Sequence, residues 1–235
     1  MAIFAISDLH LALGADKPMD VFGGIWVNYM PRIEQNWSEM VGKEDTVVVG
    51  GDISWATYLG DCYADFQMID RLPGKKILLK GNHDYWWESL TKMRRFVQQH
   101  GFASIDFLHN NSYFSQGVAI CGSRGWNDPS YDGYTKEDEK IYERELIRLR
   151  LSLDSAQQYG AKKTVVVLHY PPVTKYRSVN SRYRDLFAEY QVKACVYGHL
   201  HSGGAKNAFE GMDNGVLYRL VSADFMGFFP MKLEI

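Results

Sequence analysis

Cysteine is scarce: Cys62, Cys121 and Cys195 are the only three in 235 residues, with no Cys-x-x-Cys pair among them. So odd and scattered a set excludes a disulfide framework and suits three small core residues in a reducing compartment. A surplus of positive charge is missing too. Lys plus Arg total 26 and Asp plus Glu total 28, a net of −2, which argues against a dedicated nucleic-acid binder. No apolar run approaches the roughly eighteen residues that suggest a membrane span. No leader precedes the first strand-like stretch, and chemistry begins at Asp8, so the expected location is the cytoplasm. Repeats, low-complexity tracts and long linkers are absent. With 46% hydrophobic content, residues 1–235 are expected to form a single domain around one sizeable core.

What is present is a series of short apolar, β-branched runs, each ending in polar chemistry. Ala2–Ile6 leads to Asp8-Leu9-His10, Thr46–Val49 to Gly50-Gly51-Asp52, and Lys76–Leu79 to Gly81-Asn82-His83-Asp84. Thr164–Leu168 leads to His169, and Ala194–Tyr197 to Gly198-His199-Leu200-His201. Continuous apolar runs of this length suit strands covered on both faces. Helical spacing appears over residues 32–41, 63–72 and from about 87 to 100. The longest helix is expected after Thr135, an N-cap with Asp138 three residues on, with the stripe Tyr142, Leu146, Leu149, Leu153 and Ala156 and a stop at Gly160. Residues 106–121 read as two strands around turns at Asn110-Asn111 and Gln116-Gly117. Residues 122–133 and 173–184 read as loops. Residues 205–209 and 216–221 read as a hairpin around 212–215. Strands alternating with helices, then hairpins, predict an α/β sandwich with its site at the carboxyl ends of parallel strands.

Taken singly, none of the polar stretches is specific. Gly-Asp after a strand is a common turn, and Asn and Asp are ordinary turn residues. Together they gather five of the seven histidines, three carboxylates and an amide at strand ends; His100 and His109, outside them, read as surface residues. Imidazole mixed with carboxylate suits Mn, Fe or Zn. Asp8, His10, Asp52, Asn82, His169, His199 and His201 are more ligands than one ion takes from protein, but two ions sharing a carboxylate would use all seven. Paired ions about 3.5–4 Å apart recur where phosphorus undergoes in-line displacement.

The ordered set Asp-x-His, Gly-Asp, Gly-Asn-His-Asp, His, Gly-His-x-His, running from Asp8 to His201, resembles the calcineurin-like metallophosphoesterase superfamily. Trp86-Trp87 and Gly122-Ser123-Arg124-Gly125-Trp126 make it similar to small bacterial predicted phosphohydrolases. The resemblance implies two mixed β-sheets packed as a sandwich and flanked by helices, in four layers. It implies that Asp8, His10 and His201 hold one ion, that Asn82, His169 and His199 hold the other, and that Asp52 bridges them. His83 would protonate the leaving oxygen, Asp84 would hydrogen-bond and orient its imidazole, and a hydroxide bridging the ions would attack phosphorus in line. The implied activity is hydrolysis of phosphate esters, most simply of a small phosphorylated molecule, with no membrane partner.

Other features are less specific. Arg124, between glycines, can bind a phosphate oxygen or serve as a surface arginine. Lys175, Arg177, Arg182 and Arg184 can grip a polyanion or form a solvated face. Tyr85, Trp86, Trp87 and Trp126 can stack on a flat group, although packing beneath the loops is the commoner use. A phosphodiesterase acting on cyclic nucleotides or nucleic acid would carry the same metal ligands. A non-catalytic scaffold on this fold, as in a retromer subunit, would have lost the acid, and retention of His83 and Asp84 argues against it.

Overall fold

The computed structural model describes residues 1–17, 19–173, 175 and 181–235. Its first sheet carries β1 (Ile3–Ile6), β2 (Thr46–Val49), β3 (Lys75–Leu78) and β4 (Ile105–Phe107) in parallel, with β11 (Met231–Lys232) antiparallel on the β1 edge. Its second sheet has the order β5 (Tyr113–Ser115), β6 (Val118–Ser123), β7 (Lys163–Leu168), β8 (Ala194–Tyr197), β10 (Val216–Leu220), β9 (Gly211–Asp213). There β6, β7, β8 and β10 are parallel and the two edge strands are antiparallel. Helices α1 (Tyr29–Met40), α2 (Tyr63–Arg71) and α3 (Leu90–Gln99) cover the first sheet. Helices α4 (Lys136–Gln158) and α5 (Arg182–Glu189) cover the second.

Strand alternation builds the layers. In β1, Ile3 and Ala5 face β6 and β7 residues Ile120, Val165 and Val167 between the sheets, while Phe4 and Ile6 face Ile33, Trp37, Phe66 and Met93 on the helices. The α4 stripe packs on Cys121, Val166 and Leu168 from the other side. The three cysteines are free and buried, one in the first helix layer and two in the second. Thr135 caps α4 in a full capping box with Asp138, and Gly160 follows its last turn at φ +74°.

Three expectations change, and one strand is unanticipated. Residues 105–123 hold three strands, and β4 lies in one sheet while β5 and β6 lie in the other. Residues 182–184 open α5 instead of ending a loop, because Tyr183, Leu186 and Phe187 form a buried stripe under the charges. The first hairpin strand is Gly211–Asp213, since Asn214-Gly215, both at positive φ, make a two-residue turn; residues 202–207 are 3-10 helix. The two-residue strand β11 exists only through its pairing with β1.

A backbone seam fastens the two sheets together where β1 and β10 end. The Ser7 amide donates to Val221, and the Ser7 carbonyl accepts from Ala223, so the end of β1 is stitched to the end of β10. Asp8 is the next residue along. Among the described residues no helix is long and apolar enough to cross a membrane.

Candidate metal centre

Every motif residue lies just beyond the carboxyl end of a parallel strand, and backbone bonds lace these ends together. Asp8 N–H donates to Gly51, His10 N–H to Asp52 and Gly198 N–H to His169. Asp8, His10, Asp52 and His199 all hold positive φ, from 46° to 70°, so four site residues occupy the left-handed region that side-chain-bearing residues seldom adopt. Gly81 does not adopt positive φ; its smallness serves close approach, since a Cβ there would overlap the Asp52 carboxylate and amide. Gly198 has the same role against Ser7 and the Asp8 carboxylate.

The side chains converge in two adjoining groups. Asp8, His10 and His201 offer donor atoms within 4.8 Å of one another, and so do Asp8, Asp52 and His169. His201 Nε2 lies 3.1 Å from Asp8 Oδ1 and 3.2 Å from His10 Nε2. Asn82 Oδ1 lies 2.7 Å from His169 Nε2 and 3.0 Å from His199 Nδ1. Asp52 Oδ2 lies 3.4 Å from His169 Nε2 in its own group and 3.8 Å from His10 Nε2 in the other, so it faces both.

This donor set fits divalent cations. Two imidazole nitrogens 3.2 Å apart, between two buried carboxylates, offer a cation several electron pairs. The far nitrogens are committed: His169 Nδ1 lies 3.1 Å from the Gly50 carbonyl and His201 Nδ1 3.0 Å from Asp224 Oδ1. Such outer contacts turn the inner nitrogen's lone pair toward a metal. Asp224 also accepts from the Ser202 amide. It carries no motif, and it reaches the site only because β10 is stitched to β1.

Burial and neighbouring charge pull the ligands' protonation in different directions. Burial disfavours charge on His169, but Asp52 and Asp8 outweigh it and push the imidazole up to about 9. Burial likewise opposes charge on His201, and Asp8 and Asp224 push it up to about 10. For His10, burial prevails over Asp52 and Asp8 and pushes the ring down to about 4; for His199, burial and neighbouring His169 do the same. Burial opposes ionisation of Asp8 and Asp52, yet the imidazoles hold both below the usual carboxylate range.

Asp84 behaves differently from the expectation. Its fully buried carboxylate accepts from the amides of Asp52, Ile53, Ser54 and Gly81 and from the Trp86 indole. Among the described residues His83 Nδ1 has no partner at all. Five donors leave Asp84 nothing to offer that ring, which instead packs 4.6 Å from Trp55, while the His83 amide donates to Asp52 Oδ1. Burial and the Asp52 charge push Asp84 up to about 6, against the backbone donors. Trp55 also stacks on His10 at 4.9 Å.

Arg124 does not stand free. Its guanidinium lies 4.5 Å over Trp126 and 3.6 Å from Glu145, while its carbonyl accepts from the amides of His169 and Tyr170. Trp86 is buried, Trp87 packs on Trp86 and Phe107, and Tyr85 is exposed. In the basic stretch, Arg182 pairs with Glu143 and Arg184 with Asp213, Lys175 is exposed, and Arg177 lies outside the described residues.

Two mixed sheets with a carboxylate–imidazole cluster at their parallel strand ends define an α/β protein built around a cation-binding centre. The chain belongs to the calcineurin-like phosphoesterase family, whose sequence model matches residues 1–203. A phage relative, the Gene 66 protein of Mycobacterium phage L5, is 48% identical over 85 residues, a match that takes in 33% of this chain and only 37% of that one. A protein of unknown function from Aquifex aeolicus has a similar structure, with TM-score 0.54 and 17% identity over 98% of this chain and 95% of its own. A phosphopantetheinyl hydrolase from Mycobacterium tuberculosis matches with TM-score 0.58 and 15% identity over 99% of this chain and 95% of its own. At these identities both likenesses are of fold.

Proposed function

We propose that the chain is a dinuclear metal-dependent phosphoesterase. The observation that carries this is the pair of adjoining donor groups that share Asp8, the second of which contains Asp52, itself 3.8 Å from His10 of the first. Asp8, His10 and His201 would hold one ion, Asn82, His169 and His199 the other, and Asp52 would lie between them. Manganese, iron and zinc all suit these donors. Bound ions of this kind supply positive charge for phosphoryl oxygens and lower the pKa of water. The chain's own contribution is to fix the donors by left-handed backbone and outer hydrogen bonds, and to hold His83 beside them for the leaving oxygen. Asp84 would clasp the loops of Asp52 and Asn82, keeping His83 in place through the backbone. The natural substrate class would be phosphate esters.

The test is metal content together with turnover. Purified protein loaded with Mn²⁺ should carry close to two ions per chain and hydrolyse a chromogenic phosphate monoester, with a diester assayed beside it. Asp52→Asn should bind clearly less metal and lose nearly all activity. One ion per chain, unchanged in Asp52→Asn, would overturn the dinuclear reading. Full loading with no turnover of either ester would point to a scaffold.

A further inference from the structure

Beside the metal centre the same strand ends hold charged side chains that it does not use. Lys80, Arg124 and Arg148 line a narrow cleft with His109, Asn110 and Glu145, where β3 and β6 run out. Lys80 directly precedes Gly81-Asn82, and the Arg124 carbonyl holds the His169 loop, so the cleft adjoins the second proposed ion site. A stack links the two: Arg124 over Trp126, Trp126 at 4.7 Å from Tyr170, and Tyr170 at 4.1 Å from His199.

The charges in this cleft do not balance. Glu145, fully buried on α4, lies 3.6 Å from Arg124, 3.8 Å from Arg144 and 2.8 Å from Arg148. One carboxylate therefore serves three guanidinium groups. Lys80 is half-buried, and among the described residues its ammonium forms no ion pair within 4 Å, with Asp84 and Glu145 the nearest opposing charges. Among the described residues Arg124 Nε is buried without a hydrogen-bond partner, as is Oε2 of Glu145, whose other oxygen takes all three guanidinium contacts. Cationic groups withdrawn from water without a counter-charge are costly, and unpartnered buried donors are uncommon in folded proteins. The space, about 20 Å³, takes one water-sized group, which suits a single oxygen of a larger anion whose remaining atoms stay outside.

We propose that this cleft is a second anion subsite. It takes a phosphate or carboxylate that the substrate carries at a distance from the ester being cleaved, held by Lys80, Arg124 and Arg148. The preferred substrates are then phosphate esters with two anionic groups. The inference rests on the phosphoesterase reading only for where the first phosphate sits.

Binding tests it without turnover. Titration calorimetry on Mn²⁺-loaded protein compares alkane-α,ω-bisphosphonates, ω-carboxyalkyl phosphonates and alkyl monophosphonates of matched chain length. At one chain length a doubly anionic ligand should bind about tenfold or more tighter than the monophosphonate, as expected for a hydrogen bond to a charged group. The two series show whether phosphate or carboxylate is the better occupant. Lys80→Met and Arg148→Gln should each remove most of that advantage. Affinity for the monophosphonate, which does not reach the cleft, should stay within about twofold, and unchanged thermal melts would show that both variants fold. Equal affinities at every length, or an advantage that survives in both variants, would overturn the proposal. A monophosphonate that fails to bind loaded protein would overturn the phosphoesterase reading instead. The cleft would then be judged on the bisphosphonate alone, whose binding must still depend on Lys80.

Discussion

Asp224 Oδ1 stands 3.0 Å from His201 Nδ1 and fixes which imidazole nitrogen faces Asp8. The residue lies just past the seam where Ala223 bonds to Ser7. Removing such an outer carboxylate typically costs about 10–100-fold in metal affinity. Asp224→Ala should therefore weaken Mn²⁺ binding by that order while the chain stays folded, as read by metal titration beside circular dichroism. Unaltered affinity would make Asp224 a cap for the Ser202 amide and nothing more.

Asp84 leads to a stability effect more than a catalytic one. Asp84→Asn places an amide NH₂ where two backbone donors, Gly81 and Asp52, now meet one oxygen. Each buried donor left without a partner costs about 1–3 kcal/mol. Urea denaturation of metal-free protein should show a loss of that size or larger. A stable variant with selectively slowed turnover would restore the direct contact with His83.

His83 should reveal itself through the leaving group. General acid catalysis contributes about 10²–10⁴-fold, mostly where the departing oxygen is a poor leaving group. His83→Ala should keep its metals and lose far more activity on an alkyl phosphate than on a nitrophenyl ester. An equal loss on both esters would assign the ring to binding phosphate, and a loss of metal would make it a ligand.

Lys76 gives a pH dependence. It is fully buried in β3, and its ammonium donates to the Leu72 and Asp70 carbonyls at the end of α2. Burial pushes it down to about 8 from 10.5, with Asp70 partly compensating. Between those values the unfolded chain holds more proton than the folded one, so this residue makes stability rise with pH there. Urea midpoints taken from pH 8 to about 10 should therefore show a less positive slope with pH for Lys76→Met than for the parent. Identical slopes would mean that Lys76 keeps an ordinary ammonium.

The strand ends were legible because they carry two signals at once, an apolar β-branched run and then metal-binding side chains. The long helix was legible from Thr135, Asp138 and its stripe. What stayed hidden depends on distant pairing. In α5 the stripe of Tyr183, Leu186 and Phe187 is short and set among charges, so it reads as polar loop. The two residues of β11 have no pattern of their own. Asp224 follows Ser222-Ala223 with no motif around it, and only the bridge from Ser7 to Ser222 delivers it to His201. The partners of Asp84 are backbone amides, which every residue but proline possesses, so its neighbour in sequence looked the natural partner. Arg124 and Lys80 are ordinary cations until the fold sets them around Glu145.

The seam at Ser7 and the clasp at Asp84 have a consequence for how the molecule breathes. Loop amides ordinarily trade their hydrogens with solvent early, ahead of the strands they connect. Here the amides of Asp52, Ile53, Ser54 and Gly81 are buried and bonded to one carboxylate, and Ser7 ties that edge to the opposite sheet. Freeing them requires breaking a clasp of four amides on one carboxylate at once. In deuterated water these loop positions should keep their protons as long as the centre of β2 does, which makes the reactive edge of the molecule as slow to open as its core.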